Sequence, residues 1–218
     1  MDRRNLIIGG AAVAAAVAAG GYYFMNMYAP DAPPAGDGIQ EQLAVAGPLG
    51  DMVMGDENAP VTIYEYASLT CSHCANFHTE TLPALKEEYI DTGKVKLVFR
   101  EFPFDPVATA ASMVARCADK DRYFPLVSAL FQLQGTWLKD DPVKGLQKVA
   151  QQAGFTQESF DACLQNQTVL DGVNWAKERA SKEFGITSTP TFFVNGEIVN
   201  GNVPIGTFRE KIDGALAS

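Results

Sequence analysis

The spacing of apolar positions predicts two buried strands with a helix between them in the first half of the chain. Val61–Ala67 and residues 94–102 are short apolar runs rich in β-branched and aromatic side chains, which is typical of strands inside a sheet. Residues 72–89 have helical spacing instead, and Pro83 predicts a kink there because proline lacks a backbone N–H. These segments predict a β-α-β unit.

The pattern that follows is mainly helical before it returns to strands. Apolar residues recur at helical spacing in four segments, 107–117, 123–133, 146–153 and 169–184. A β-hairpin is predicted over residues 191–199, where two β-rich runs flank Asn195-Gly196. A last helix is predicted over Ile205–Leu216, with its apolar residues on one face.

The N-terminal part of the chain is predicted to lie outside the fold. Arg3 and Arg4 precede an apolar stretch over residues 6–28, which is the order found in export signals. As a helix this stretch would be about 34 Å long, enough to cross a bilayer, so residues 1–28 are either a signal peptide or a membrane anchor. Residues 29–50 are rich in proline and glycine and are predicted to form a tether with little structure of its own.

Composition and charge narrow the possible functions. Of the 218 residues, 47% are hydrophobic, which is ample for a folded core. The formal net charge is −9, and the sequence has no basic stripe of the kind that binds phosphate. This charge argues against nucleic acid as a partner.

The chain carries a Cys-x-x-Cys motif, Cys71 and Cys74, where the first predicted strand gives way to the helix. The free N–H groups and the dipole at a helix start favour negative charge, so Cys71 is expected to ionise more easily than an ordinary thiol. Cys74 follows one helical turn later, close enough for a disulfide in which Cys71 is the more exposed partner. The pair is predicted to switch between dithiol and disulfide.

Other uses of the cysteines remain open at this point. A Cys-x-x-Cys motif also fits half of a zinc site, and Cys117 and Cys163 could supply the missing ligands, although they do not form a second close pair. Haem attachment is excluded because Ala75, and not histidine, follows the second cysteine. In an exported protein Cys117 and Cys163 favour a structural disulfide, the alternative being two buried thiols. No metal or other cofactor is expected.

Residues 65–74, followed much later by Thr189-Pro190-Thr191, resemble the bacterial DsbA-like thiol:disulfide oxidoreductases of the thioredoxin superfamily. The resemblance extends over most of the chain. It implies an α/β, thioredoxin-like fold with an inserted all-helical domain. The bounds expected here are 51–105 and 186–218 for the thioredoxin-like domain and 106–185 for the insertion.

The resemblance also implies how the proline segment is used. Pro190 would be cis and would face the dithiol across a substrate groove. The backbone of Thr189 would hydrogen-bond an incoming peptide as an added strand. Ser72 stands where the best-known members have proline, which leaves the redox potential open.

Of the three polar side chains near the dithiol, two are candidates for tuning it. His73 could donate a hydrogen bond to the Cys71 thiolate or add a positive charge beside it, a role that the resemblance supports. Glu65 lies in an otherwise apolar strand, where the family has an acidic residue. Buried without a partner it could relay a proton to or from Cys74, unless it faces solvent at the strand end. His78, a turn further along the helix, is expected to pack or to face solvent.

These features predict an oxidase that donates the Cys71–Cys74 disulfide to unfolded exported proteins with free thiols. The resemblance implies reoxidation by a membrane partner of the DsbB type. The protein is expected in the periplasm, soluble or tethered to the inner membrane, and as a monomer. A reductase or isomerase would use the same dithiol, although residues 29–50 are too short for the folded dimerisation module of a dimeric isomerase. A metal-binding protein and a peptide-binding chaperone are the remaining alternatives.

Overall fold

A computed structural model describes residues 37–217, and within this range the strands form one mixed five-stranded sheet. The strands are β1 (Met52–Met54), β2 (Val61–Ala67), β3 (Val95–Glu101), β4 (Thr191–Val194) and β5 (Glu197–Asn200). Their order across the sheet is β1-β3-β2-β4-β5. Since β2 is central, parallel to β3 and antiparallel to β4, the segment with the cysteines leaves from the middle of the sheet.

Helices precede, connect and follow these strands. They are α1 (Asp37–Ala44), α2 (Ser72–Asn76), α3 (Leu82–Leu85), α4 (Pro106–Cys117), α5 (Tyr123–Gln132), α6 (Gln134–Trp137), α7 (Pro142–Gln152), α8 (Gln157–Leu164), α9 (Gln167–Glu183) and α10 (Ile205–Leu216). Two π-helical turns, Phe77–Thr81 and Lys86–Ile90, make α2 and α3 parts of one helical segment. The first turn ends just before Pro83, where the Leu82 N–H bonds the Phe77 carbonyl oxygen instead of a carbonyl four residues back.

Most elements predicted from the sequence are present. The strands β2 and β3, the β4-β5 hairpin and α10 match their predicted positions to within a residue at each end. β1 and α8 are absent from the sequence prediction. β1 has only three residues, too few for an alternating pattern to appear. α8 has only eight residues, and its apolar residues begin only at Phe160, which leaves too short a run to show a helical period.

The prediction that residues 29–50 have little structure is wrong for the part that forms α1. Ile39 and Leu43 of this helix are buried against the sheet, and they lie four residues apart on one helical face. Arg100 donates to the carbonyl oxygen of Leu43 at 2.6 Å, and Arg179 donates to a second carbonyl of the last turn. α1 has only two large apolar residues, Ile39 and Leu43, and the segment around it is rich in proline and glycine, so their helical spacing does not stand out in the sequence.

Helices cover both faces of the sheet, and the helical segments between β3 and β4 enclose a further core. One face packs against the cysteine-bearing helical segment and α10 through buried aromatic residues, namely Phe77, Phe192 and Phe208. The other face packs against α1 and α9 through Tyr66, Phe184 and Phe193. The helices after β3 surround Tyr123, Leu130, Phe131 and Trp137 and contact the sheet through Phe99.

The register of the central strands brings the dithiol and the proline segment together. Tyr66, at the end of β2, pairs with Thr191 at the start of β4. Because these strands are antiparallel, the chain that leaves β2 toward Cys71 passes the chain that enters β4 through Thr189 and Pro190. Residues 118 positions apart in sequence therefore meet at one end of the sheet.

None of the helices within residues 37–217 is long and apolar enough to span a membrane. The predicted signal or anchor over residues 1–28 lies outside the described residues. The division into a sheet-containing domain and an insertion at 106–185 stays a prediction.

Candidate redox-active site

Cys71 lies between the end of β2 and the first turn of α2. Its backbone is extended, with φ −80° and ψ 120°, and its carbonyl oxygen accepts a hydrogen bond from the Ala75 N–H at 3.1 Å. The N–H of Cys71 donates to the Ser68 carbonyl oxygen at 3.0 Å. These bonds make Cys71 the residue that caps the helix, so its side chain, which is partly exposed, stands at the positive end of the helical segment.

A glutamine from α6 holds the loop that leads to Cys71. The Nε2 of Gln134, which is 9% exposed, donates to the carbonyl oxygens of Leu69 at 2.9 Å and Cys71 at 3.1 Å. The hydroxyl of Thr70 donates to the Asp105 carboxylate at 2.7 Å. Sequence reasoning missed Gln134, because the periodicity of a helix does not reveal which glutamine reaches a loop far away in sequence.

Hydrogen bonding lowers the pKa of the Cys71 thiol to about 5, well below that of an ordinary thiol. The largest cause is the hydrogen bond with the Cys74 side chain. Thr189 and the backbone N–H groups of Cys74 and His73 lower the pKa further, while partial burial opposes them. A thiolate at Cys71 is both a nucleophile and a good leaving group at neutral pH.

Cys74 is in the opposite situation, because its side chain is fully buried. Burial raises the pKa of the Cys74 thiol far above its ordinary value, and the hydrogen bond to Cys71 and the charges of Cys71 and Glu65 raise it further. Cys74 therefore keeps its proton when Cys71 ionises. The two cysteines differ in exposure and in charge.

The proline segment faces Cys71. The peptide bond between Thr189 and Pro190 is cis, and the Sγ of Cys71 lies 3.4 Å from the Thr189 carbonyl oxygen. The Thr189 hydroxyl oxygen is buried and has no hydrogen-bond partner among residues 37–217. It is in position to donate to the sulfur once Cys71 ionises, in line with its lowering of the pKa of Cys71.

His73 contributes its backbone to the site. Its N–H is one of the groups that lower the pKa of Cys71, whereas its side chain is exposed. Within residues 37–217 no hydrogen bond joins the His73 imidazole to Cys71. The role of this imidazole in tuning the thiolate stays a prediction.

Glu65 is fully buried in β2 and does not face solvent, and it has a hydrogen-bond partner. The Nε2 of His78 lies 2.9 Å from one oxygen of the Glu65 carboxyl group and 3.1 Å from the other. His78 is itself buried and stacks on Phe131, with ring centroids 4.1 Å apart. Its position one turn after Cys74 was the available signal, since residues four apart share a helical face.

Cys117 and Cys163 are joined by a disulfide between the end of α4 and α8. They are therefore not available to complete a zinc site with Cys71 and Cys74. Among residues 37–217, no group of three or more histidine, cysteine, aspartate or glutamate side chains is placed to hold a metal ion. Cys71 and Cys74 are the free thiols in this range.

Comparisons with known proteins agree with this geometry. The family model described as thioredoxin matches residues 49–214. The crystal structure of α-DsbA1 from Wolbachia pipientis is 32% identical, covers 81% of this chain and 95% of its own, and superposes with a TM-score of 0.75. The predicted thioredoxin-like fold with an inserted helical domain is thereby confirmed.

Two relatives known from sequence extend the comparison. A Rickettsia conorii protein assigned as a protein-disulfide oxidoreductase is 33% identical over 168 residues, which are 76% of this chain and 60% of the relative. A Bacillus cereus protein assigned as disulfide bond formation protein D is 30% identical over 171 residues, 75% of this chain and 77% of the relative. The chain thus spans about three fifths of the length of the rickettsial relative.

Proposed function

We propose that this chain, which belongs to the thioredoxin family and within it to the DsbA-like disulfide oxidoreductases, donates the Cys71–Cys74 disulfide to exported proteins. The observation that carries the proposal is the asymmetry of the two cysteines. Cys71 is partly exposed with a pKa lowered to about 5, and Cys74 is buried with its pKa raised. A stabilised Cys71 thiolate favours the reduced form of the protein, and a protein that favours its reduced form gives its disulfide away.

The exposure of the sulfurs supports a fixed order of bond exchange. A thiolate of the substrate attacks Cys71, the Cys71–Cys74 bond breaks, and Cys74 leaves with the electron pair and takes up a proton. A second substrate thiolate then attacks the substrate sulfur of the mixed disulfide, and Cys71 leaves as a thiolate. The substrate is oxidised by two electrons, and the enzyme is left as a dithiol.

The segment before β4 supports a way to hold the substrate. Thr189 and Pro190 lie beside the Cys71 sulfur, and the resemblance to DsbA-like proteins assigns them to peptide binding. An extended peptide would pair with the Thr189 backbone as an added strand, which places its cysteine at Cys71. Pairing through the backbone suits substrates of many sequences.

The helical insertion at 106–185 is proposed to complete the active site. Gln134 from this segment donates to the carbonyl oxygens of Leu69 and Cys71, and it therefore orients the loop that presents the nucleophile. We assign residues 51–105 and 186–218 to the redox domain. The insertion is assigned the role of holding the Cys71 loop of that domain in place.

Export and reoxidation complete the proposal. The basic and apolar order of residues 1–28 supports delivery to the periplasm, with the segment either removed or kept as an anchor. The reduced enzyme would be reoxidised by a membrane partner of the DsbB type, which accepts the electrons from the dithiol. The protein is proposed to act as a monomer.

The experiment is a refolding assay with a reduced, unfolded protein that has a single native disulfide, together with the equilibrium of the enzyme against glutathione. We expect the oxidised enzyme to form the substrate disulfide, and Cys71→Ser to abolish the reaction. An equilibrium that lies toward the enzyme disulfide would support the reductase or isomerase alternative. Stoichiometric zinc binding by Cys71 and Cys74 without oxidase activity would support a metal site, and activity that survives both Cys→Ser changes would support a chaperone.

A further inference from the structure

The buried pair of Glu65 and His78 lies next to the cysteine that must change its protonation state. Both oxygens of Glu65 are within 3.1 Å of the His78 Nε2, so one N–H on this nitrogen can donate to the whole carboxylate. His78 follows Cys74 by four residues in one helical segment, and both side chains are buried. The ring also stacks on Phe131 and makes edge contacts with Phe77 and Phe99.

The charged and titratable groups around the pair come from four elements. The helical segment contributes Cys74, on which the charge of Glu65 acts. From α5, Tyr123 is fully buried, interacts with the charge of Glu65 and donates its hydroxyl proton to Glu101 at 2.7 Å. Glu101 in turn is paired with Arg116. Among residues 37–217, His78 is the group that hydrogen-bonds the Glu65 carboxylate.

Cys74 has no direct access to water for its proton. Its side chain is 0% exposed, yet it must lose a proton each time the disulfide forms and regain one each time the disulfide is donated. A buried carboxyl group that can hold or release a proton is the suitable acceptor, provided that its ionised form is stabilised. The charge of Glu65 acts on Cys74, and the structure provides Glu65 with one donor.

We infer that His78 is a positioning residue that orients the Glu65 carboxyl group as the proton acceptor and donor of Cys74. This inference rests on the proposed function and deepens it. When a mixed disulfide at Cys71 is resolved, the Cys74 thiol passes its proton to Glu65, and the Cys74 sulfur attacks the Cys71 sulfur. The bond between Cys71 and the outer sulfur breaks, and that sulfur leaves as a thiolate. In the opposite direction Glu65 returns the proton to Cys74 as the Cys71–Cys74 bond breaks.

The inference predicts the direction of a pH effect. Without the N–H of His78 the buried carboxylate loses its hydrogen-bond donor, which leaves its charged form without a partner in the core. Since resolution of the mixed disulfide needs the ionised carboxylate, its rate rises with pH, and in His78→Phe the rise moves to higher pH. In His78→Gln the amide N–H can replace the imidazole N–H, so the shift is smaller.

The test follows the resolution step alone. The reduced protein is mixed with oxidised glutathione, the reaction is quenched at intervals over a range of pH, and the decay of the Cys71–glutathione adduct is measured by intact mass. We expect the pH-rate profile of this decay to shift upward by about one unit or more in His78→Phe. Glu65→Gln should slow the decay at every pH, and adding His78→Phe to it should produce no further shift.

The control is Phe131→Leu, which removes the ring stacked on His78 and leaves the pair with Glu65 in place. This variant should lose stability without a shift of the profile, and His78→Leu, which also removes the N–H, replaces His78→Phe if that variant does not fold. An unchanged profile in His78→Phe or His78→Leu, or an equal shift in Phe131→Leu, would overturn the inference. Failure of the wild-type protein to form any adduct at Cys71 would instead overturn the proposed function.

Discussion

The Sγ of Cys71 lies 3.4 Å from the carbonyl oxygen of Thr189, although 118 positions separate the two residues in sequence. The contact exists because β2 and β4 are antiparallel neighbours and both chains reach the same end of the sheet. It places the reactive sulfur beside the backbone that is proposed to bind the substrate. The Thr189 hydroxyl, buried and without a partner among the described residues, faces the same place.

The first prediction concerns the Thr189 hydroxyl. Thr189→Val keeps the shape of the side chain and removes the donor that helps to lower the pKa of Cys71. We therefore expect the pKa of Cys71 to rise above about 5 and the disulfide to become less oxidising. The thiolate absorbance as a function of pH measures the first effect, and equilibrium with glutathione measures the second.

A matched control for Thr189→Val is available two residues along the chain. Thr191→Val makes the same exchange at a hydroxyl that donates to the Ser188 carbonyl oxygen and not to Cys71. It should change stability but leave the titration of Cys71 as in the wild type. Equal titration curves for Thr189→Val and the wild type would contradict the role of the hydroxyl.

The second prediction concerns Gln134. Gln134→Leu leaves the carbonyl oxygens of Leu69 and Cys71 without their donor from α6. We expect a loss of about 1–3 kcal/mol in the free energy of unfolding, because a buried acceptor loses its partner. The loop before Cys71 should also become mobile. We therefore expect Cys71 to form its adduct with oxidised glutathione more slowly. Denaturant unfolding and stopped-flow kinetics measure the two effects.

Gln132→Leu is the control for this substitution. Gln132 is exposed on the preceding helix and donates to the Ser128 hydroxyl. Its replacement should change the free energy of unfolding by no more than about 0.5 kcal/mol and leave the kinetics unaltered. If Gln134→Leu formed the glutathione adduct as fast as the wild type, the positioning role of Gln134 would be ruled out.

The dithiol and the β4-β5 hairpin could be predicted from the sequence because both signals are local. Cys71 and Cys74 lie at a strand-to-helix junction, and Asn195-Gly196 is a turn dipeptide between β-rich runs. The partners of the site could not be predicted in the same way. Gln134 contacts a loop far away in sequence, and nothing near it in sequence distinguishes it from a surface glutamine. The spacing of His78 from Cys74 places both on one helical face, but it does not reveal that Glu65 is the partner of His78.

The third prediction tests the asymmetry of the cysteines. Cys74→Ala removes the thiol that resolves the mixed disulfide, while Cys71 still reacts. This variant should accumulate mixed disulfides with many exported proteins, and Cys71→Ala should trap far fewer. Non-reducing gels of the two variants provide the measurement. Similar amounts of adduct in both would remove the distinction between an attacking and a resolving cysteine.

The fourth prediction concerns the bond between Cys117 and Cys163. Alkylation of the native protein without reductant should leave both residues unlabelled, as intact mass would show. The bond closes a loop with a sequence separation of 46, and in the chain-entropy model it stabilises the protein by about 4 kcal/mol. A variant with both residues changed to alanine should lose up to this amount in denaturant unfolding, while the titration of Cys71 stays unchanged. Labelling of both cysteines in the native protein would contradict the structural bond.

The last prediction concerns the stability of the two redox states. Closing the short Cys71–Cys74 ring stabilises the oxidised protein by roughly 2 kcal/mol through chain entropy. Each unit by which the pKa of Cys71 in the folded protein lies below the ambient pH stabilises the reduced protein by about 1.4 kcal/mol. Solvent screening makes this contribution smaller, because the Cys71 thiol is partly exposed. The reduced state is therefore the more stable at pH 7 once the pKa of Cys71 lies below roughly 5.5.

The pKa of Cys71, lowered to about 5, lies just below that threshold, so we expect the reduced protein to unfold at the higher temperature at pH 7 by a small margin. Because the folded pKa is lowered, this contribution is complete above the pKa of the unfolded thiol, near 8.5, and is lost as pH falls through about 5. Calorimetry is done on both redox states with the Cys117–Cys163 bond intact. The difference in unfolding temperature between the reduced and the oxidised protein should increase toward about pH 8.5 and change sign in acid. In Thr189→Val this difference should be smaller at pH 7. An oxidised protein that is the more stable at pH 7 would favour a reductase, since its disulfide would then be kept and not donated.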